Sequence, residues 1–166
     1  MRQKDFFKEP VNGFGFEFFH DLTKDGKLAL TKNTFPQAFF PVVAIFAEDC
    51  NFNLNKIQSC NGKLMIEGRY KGVENKLYMR YPYRDNIAFV VANINFIHQR
   101  QGNMTQLYTV LKKICRTYSL GGIKIESALS EEMINWCHKN GFVLPPGGEY
   151  DYYEKKLIEN SEIHYY

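Results

Sequence analysis

Residues Phe89 to Leu107 hold the stretch of this chain best suited to chemistry. An apolar, strand-like run, Phe89-Val90-Val91-Ala92-Asn93-Ile94-Asn95-Phe96-Ile97, breaks at the polar turn His98-Gln99-Arg100-Gln101-Gly102-Asn103. Apolar residues then recur at 104, 107, 108, 111, 114, 115 and 118, which is helical spacing. The first turn of a helix leaves backbone N–H groups without partners, and the aligned peptide dipoles add partial positive charge at the same end. A strand feeding such a terminus through a glycine turn makes a seat for an anion, and a phosphate-bearing ligand is expected there. A plain strand-to-helix connection uses the same residues. Gly102 is the pivot of the turn, because unusual φ and close backbone approach both favour glycine.

The flanking elements read as follows. Upstream, Phe52 to Asn55, Lys63 to Tyr70, Lys76 to Tyr81 and Asn86 to Phe96 alternate like strands, with a hairpin signal at Asn61-Gly62 and a turn over Lys71-Gly72-Val73-Glu74-Asn75. They predict an antiparallel meander leading into the ligand loop. Downstream, Gly121 to Ser127 alternates as a short strand, and Ser130 to Phe142 reads as a helix. Ser130 is a natural N-cap, Glu131 and Glu132 suit the positive end of the dipole, and Gly141 suits the left-handed position past the last turn. Pro145-Pro146-Gly147-Gly148 marks a loop before a final strand over Tyr150 to Leu157, and residues 158–166 read as a tail. Phe35 to Ala47, with Pro36 and Pro41, fits either a helix entered at a proline or a buried strand. Residues 1–35, rich in phenylalanine and broken at Pro10, Gly13, Gly15 and Gly26, predict an irregular start with one or two short helices.

Two segments resemble the GCN5-related N-acetyltransferases. Gln99-x-x-Gly102-x-Met104-Thr105 resembles the family's acyl-CoA pyrophosphate loop, with Met104 departing from the usual glycine or alanine. Trp136-Cys137-His138-Lys139-Asn140-Gly141-Phe142 resembles the family's closing helix signature, with Cys137 at the tyrosine position. The order of elements matches over residues 86–157. The resemblance implies a mixed α/β (α+β) fold whose central, mostly antiparallel twisted sheet has helices on both faces and a splayed cleft for acetyl-CoA. It implies acetyl transfer to an amine by direct attack on the thioester, with acetyl-CoA as cosubstrate. Ile94, Asn95 and Phe96 would hold the pantetheine arm. Gln99, Arg100, Gln101, Gly102, Asn103, Met104 and Thr105 would meet the pyrophosphate, and Ser130 completes the cofactor set.

The implied chemistry needs a base for the amine, a donor for the oxyanion and a proton for the departing thiolate. Cys137 stands where the family's frequent general acid stands. A thiol near its ordinary pKa of ~8.5 can donate a proton, but a buried structural cysteine fits the same helical spacing, four residues after Met133. No carboxylate precedes the loop on the strand at 86–96, so Glu126 on the next strand is the nearest candidate base; a surface ion pair fits it equally. Tyr150, Tyr152 and Tyr153 are substitutes for a missing acid. A second expectation follows from these departures: an acyl-CoA-binding or protein-interaction module that keeps the fold without turnover.

Composition bounds the rest. The chain has 166 residues, 45% of them hydrophobic and 16% aromatic, which suits one domain with an ordinary core and argues against disorder. The domain divides into N-terminal, acceptor-side elements over 1–50, the meander over 51–97, the acetyl-CoA-binding half over 98–157 and the tail. The net charge of +3 is too slight to predict a nucleic-acid partner, and Lys112, Lys113 and Arg116 read as a solvated helix face. No apolar run approaches membrane-spanning length, and Met1 to Asp5 lacks the apolar core of a secretory signal, so a cytoplasmic protein is expected. Cys50, Cys60, Cys115 and Cys137 lack metal-ligand spacing, which predicts reduced thiols and no metal. Fourteen phenylalanines and eleven tyrosines predict an apolar patch suited to a homodimer. The amine acceptor is not legible in these residues.

Overall fold

The computed structural model describes residues 37–60, 62–81, 87–126 and 128–154. The expectations for residues 1–35, Asn61, Asn86, Ser127, Lys155 to Leu157 and the tail lie outside the described residues.

Alternation of side chains builds the first half of the sheet. Strands β1 (Leu54–Cys60), β2 (Lys63–Tyr70), β3 (Val73–Arg80) and β4 (Ile87–Asn95) pair antiparallel in sequence order. Their inward residues Ile57, Leu64, Ile66, Leu77, Met79 and Val91 are buried, while Lys56, Glu67 and Lys76 lie in one cross-strand row on the other face and pair with one another. The turn between β2 and β3 is shorter than the sequence suggests. Lys71 and Gly72 both take positive φ, 49° and 79°, so two residues reverse the chain and Val73 already pairs with Tyr70. Positive φ at both central positions matches the twist of the flanking strands, which lets the ladder begin at once.

Three helices complete the described structure. The apolar segment after residue 35 resolves as a helix: a 3₁₀ turn at Gln37–Phe39 leads into α1 (Phe40–Asp49), with Pro41 in its first turn, where its missing N–H costs nothing. Helix α2 (Asn103–Thr117) follows β4, and α3 (Glu131–Lys139) follows β5 (Gly122–Ile125). Two short strands, β6 (Phe142–Val143) and β7 (Tyr152–Glu154), close the sheet in the order β1-β2-β3-β4-β5-β7-β6. The two-residue β6 follows the left-handed Gly141 at φ 79°. Among the described strands only the β4–β5 pair is parallel, with α2 as its crossover. The fold is therefore mixed α+β, with a seven-stranded, mostly antiparallel open sheet.

Helices α1 and α2 lie side by side on the apolar face. Phe39, just before α1, meets the rings of Tyr81 and Phe89, and Phe46 stacks on Phe96. Leu107 and Leu111 bury the apolar stripe of α2, and Tyr108 meets Trp136 of α3 and Phe142 of β6. The described helices speak only for this face. Close approach of α1 to the sheet needs Gly68 on β2: a Cβ there would stand 2.6 Å from Cys50 Sγ and 2.7 Å from Asn75 Oδ1.

A bulge in β4 sets up the site. Tyr78 pairs with Asn93, but the next residue, Met79, pairs with Val91, so Ala92 is an extra residue on β4. The insertion shifts the alternation by one. Ile94 and Phe96 therefore return to the apolar face already occupied by Phe89 and Val91.

Candidate functional site

Strands β4 and β5 run together only as far as the bulge. Their ladder ends at Val91 and Ile125, with one further bond from Glu126 N to Val91 O at 2.9 Å. Beyond it the edge of β4 over residues 92–95 faces an open groove rather than a strand. The inner part of that groove, about 300 Å³, is lined by Ala92, Asn93, Ile94 and Met133 among others, and by one carboxylate, Glu126. The outer part, about 430 Å³, shares Ile94, Ser130 and Met133 with it and continues to the N-terminus of α2. The two meet at these shared residues and form one elongated channel: its inner end mixes apolar residues with Asn93, Glu126 and Ser130, and its outer part has apolar walls, Phe96, Met104 and Trp136 among them, with polar groups of the 98–105 loop at the mouth.

At that mouth the backbone supplies the polarity. Gly102 is the N-cap of α2 at φ 81°, no side chain caps the helix, and no acid stands in its first turn. The first intrahelical bond goes from Gln106 N to Gly102 O, which leaves the N–H groups of Asn103, Met104 and Thr105 to the site. A Cβ at Gly102 would meet no protein atom within 4 Å, so glycine is demanded there by φ and not by crowding. Met104 is half-buried against the core and forms part of the groove wall.

Across the groove stands α3. Ser130 Oγ accepts from Met133 N at 3.1 Å and caps the helix, as its sequence suggests. Glu132, Met133 and Trp136 share the face turned to the groove. Trp136 Nε1 donates to Thr105 Oγ1 at 3.1 Å, which ties α3 to the first turn of α2. Arg100 donates to Glu132 at 3.2 Å across the mouth. The Glu132 carboxyl is held below its usual range by hydrogen bonding from its own backbone N–H and from Arg100.

Of the sequence-predicted cofactor residues, Ile94, Asn95, Phe96, Gln99, Arg100, Gly102, Asn103, Met104, Thr105 and Ser130 converge on the outer groove. Gln101 is exposed and is not among its lining residues. The two catalytic candidates fare differently. Glu126 lines the inner groove, but both its oxygens accept from Arg80 Nη2, at 2.6 Å each, and Lys124 approaches at 3.4 Å. Burial alone would lower the pKa of Lys124, but hydrogen bonds to Asp151 and Tyr153 outweigh it and hold that ammonium above its ordinary range. Cys137 lines neither part of the groove. It is fully buried in the core, and burial pushes its thiol up to about 12. It lies one helical turn after the groove-lining Met133, but its own side chain is enclosed in the core. Tyr150 is half exposed, while Tyr152 and Tyr153 are buried strand residues.

The sequence reading missed His98, Glu132, Met133 and Trp136 on the outer groove, and Asp49 behind it. Spacing on α3 carried a signal, since 132, 133 and 136 share one face with the N-cap Ser130. Asp49 carried none: it lies 48 residues before Ile97, whose N–H it accepts at 2.8 Å.

Among the described residues no group of histidine, cysteine, aspartate and glutamate could hold a metal, and no helix is long and apolar enough to cross a membrane. Comparison of the chain with protein-family models, curated proteins and solved structures gives no match.

Proposed function

We propose that this chain is an acyl-CoA-dependent N-acetyltransferase of the kind its pyrophosphate-loop motif suggests, acting on an amine acceptor. The observation that carries the reading is the channel along the edge of β4 beyond the end of its ladder with β5, which reaches an uncapped helix N-terminus. An elongated ligand with a polyanionic end and a narrow arm suits its length and the backbone donors at that terminus. The donor set at the mouth fits a pyrophosphate: free backbone N–H groups at Asn103 to Thr105, with Arg100 and Gln99 beside them. The edge of β4 over Asn93 to Phe96 suits an amide-bearing arm, which pairs with a strand edge as another strand would.

Bound there, acyl-CoA would supply an activated acyl group as a thioester. The residues around the inner groove then have separate tasks. Ala92, Ile125, Ala128 and Met133 supply apolar wall beside the reacting end. Backbone N–H groups near the bulge are suited to the oxyanion, because the extra residue re-aims the strand edge. Glu126 is the carboxylate lining this part of the groove and is the proposed acceptor of the amine's proton, directly or through water. Arg80 and Lys124 position it. Cys137, enclosed in the core, has no part in this scheme.

One observation favours a second reading, a module that binds acyl-CoA without turnover: the lining carboxylate is already claimed by two cations and the cysteine at the family's acid position is inaccessible. Calorimetric titration with acetyl-CoA, with desulfo-CoA and CoA fragments as controls, separates the readings when followed by an acetyl-transfer assay over a panel of amines. Micromolar binding that needs the pyrophosphate, with transfer to some amine, supports the enzyme. Binding without transfer supports the module, and no binding overturns both.

A further inference from the structure

The ligand loop is held from behind by a single buried carboxylate. Asp49, the last residue of α1, has a side chain with no exposed surface. Its oxygens accept from Ile97 N at 2.8 Å, His98 N at 2.9 Å, His98 Nδ1 at 3.2 Å, Asn103 Nδ2 at 3.2 Å and Asn75 Nδ2 at 2.9 Å. Its backbone carbonyl also meets His98 Nδ1 at 3.0 Å. Both Asp49 partners of that ring nitrogen are acceptors, so Nδ1 carries the hydrogen. Asn103 Nδ2 reaches His98 O as well, at 3.3 Å. One carboxylate thus ties down the entry of the loop, at 97 and 98, and its exit, at 103.

We propose that Asp49 is the positioning residue for the anion seat, holding the loop of residues 97–103 in its binding form before any ligand arrives. The proposal rests on the acyl-CoA reading for the identity of the anion, while the clamp itself stands on geometry. Three observations carry it. A carboxylate is unfavourable at the negative end of a helix and costly to bury, so its retention needs compensation, which the five donors provide. Four of those five belong to the loop or its first helical residue; the other, Asn75, also donates to Phe46 O at 2.8 Å and so anchors the carboxylate to the end of α1. Lastly, Asp49 consumes the N–H groups of Ile97 and His98 on the inner side, so the donors left for an anion are those from Gln99 onward. His98 lines the groove with its ring orientation set by the same carboxylate.

Electrostatics and positioning predict opposite signs. As a mere charge beneath a phosphate seat, Asp49 would repel the ligand, and Asp49→Asn would tighten binding. As a clamp, Asp49→Asn loses charge-assisted bonds and sets an amide NH₂ against donors, so the loop loosens and binding weakens on the order of tenfold or more. The experiment uses the full chain, with coenzyme A as the probe and amide hydrogen exchange as a second readout. In Asp49→Asn the expected result is exchange at Ile97 and His98 at least about tenfold faster while β2 and β3 amides keep their protection, with weaker coenzyme A binding. In an active enzyme the KM for acyl-CoA rises and kcat holds. Asn103→Ala removes one tie without touching the buried carboxylate and should move loop exchange the same way by less. It decides the matter if Asp49→Asn does not fold. Loop exchange within about twofold of wild type in the folded variant, or tighter coenzyme A binding in Asp49→Asn, overturns the clamp. If wild type binds no coenzyme A, the functional reading falls, and the exchange measurement alone decides whether Asp49 holds the loop.

Discussion

At the scale of single residues, Gly102 and Cys137 separate what spacing can say from what it cannot. Gly102 was legible because a left-handed residue between a polar turn and an apolar helix has few alternatives to glycine. The open space around it makes two substitutions diverge. Gly102→Ala should cost about 1 kcal/mol of stability, from backbone strain alone, and leave the fold intact, as thermal or urea unfolding would report. Gly102→Glu adds a carboxylate at the mouth of the seat and should abolish coenzyme A binding in calorimetry while costing little beyond the same strain. Equal affinities for the two variants would remove the anion seat from this loop. Cys137 could not be placed from spacing, because its helix has apolar residues turned both to the groove and to the core. Its full burial in the core predicts that Cys137→Ala lowers stability by about 1 kcal/mol through lost packing and leaves any acetyl transfer unchanged. A large fall in kcat with stability preserved would return Cys137 to the mechanism.

At the scale of elements, the meander and α3 could be read because each carries its own local punctuation. Alternation over Lys63 to Tyr70 matches β2 residue for residue, and Ser130 caps α3 as its position suggested. That cap satisfies Met133 N, so Ser130→Ala should cost about 1 kcal/mol and Ser130→Gly less, measured by urea unfolding. The same variants test the groove: Ser130 lines both of its parts, and a change in ligand affinity beyond the stability loss would show a direct contact. The bulge at Ala92 was harder to see, since alanine has no special backbone preference. A trace of it lies in the apolar spacing, which runs by two from Phe89 to Val91, by three to Ile94 and by two again to Phe96. The turn at Lys71-Gly72 is hidden for a related reason: lysine at positive φ is rare, so spacing alone suggests five residues for a reversal that needs two.

At the scale of the whole molecule, what the sequence could not convey is long-range: Asp49 reaching the loop at 97–103, and Arg80 on β3 reaching Glu126 past β4. Neither pair shares a local pattern, and only the closing of the sheet brings them together. Burial of ionisable groups in one core is equally a property of the assembled fold, and it makes a prediction for the molecule as a unit. Burial raises the thiols of Cys115 and Cys137 to about 12, and raises Cys50 and the Tyr108 hydroxyl as well, the latter with help from its bond to Glu154. Lys124 is also raised, by Asp151 and Tyr153 against the effect of its own burial. In each case the folded form binds its proton more tightly than the unfolded chain does. As pH climbs through the unfolded values, the unfolded state releases protons that the folded state keeps, so the stability present below about pH 9 is lost progressively toward about pH 12. Urea unfolding under reducing conditions should therefore give a lower midpoint at about pH 10.5 than at about pH 8, with the drop partly relieved in Cys115→Ala and Cys137→Ala. A midpoint that holds constant over that interval would mean that these thiols ionise freely in the native protein, and that the core around Cys137 is open to water.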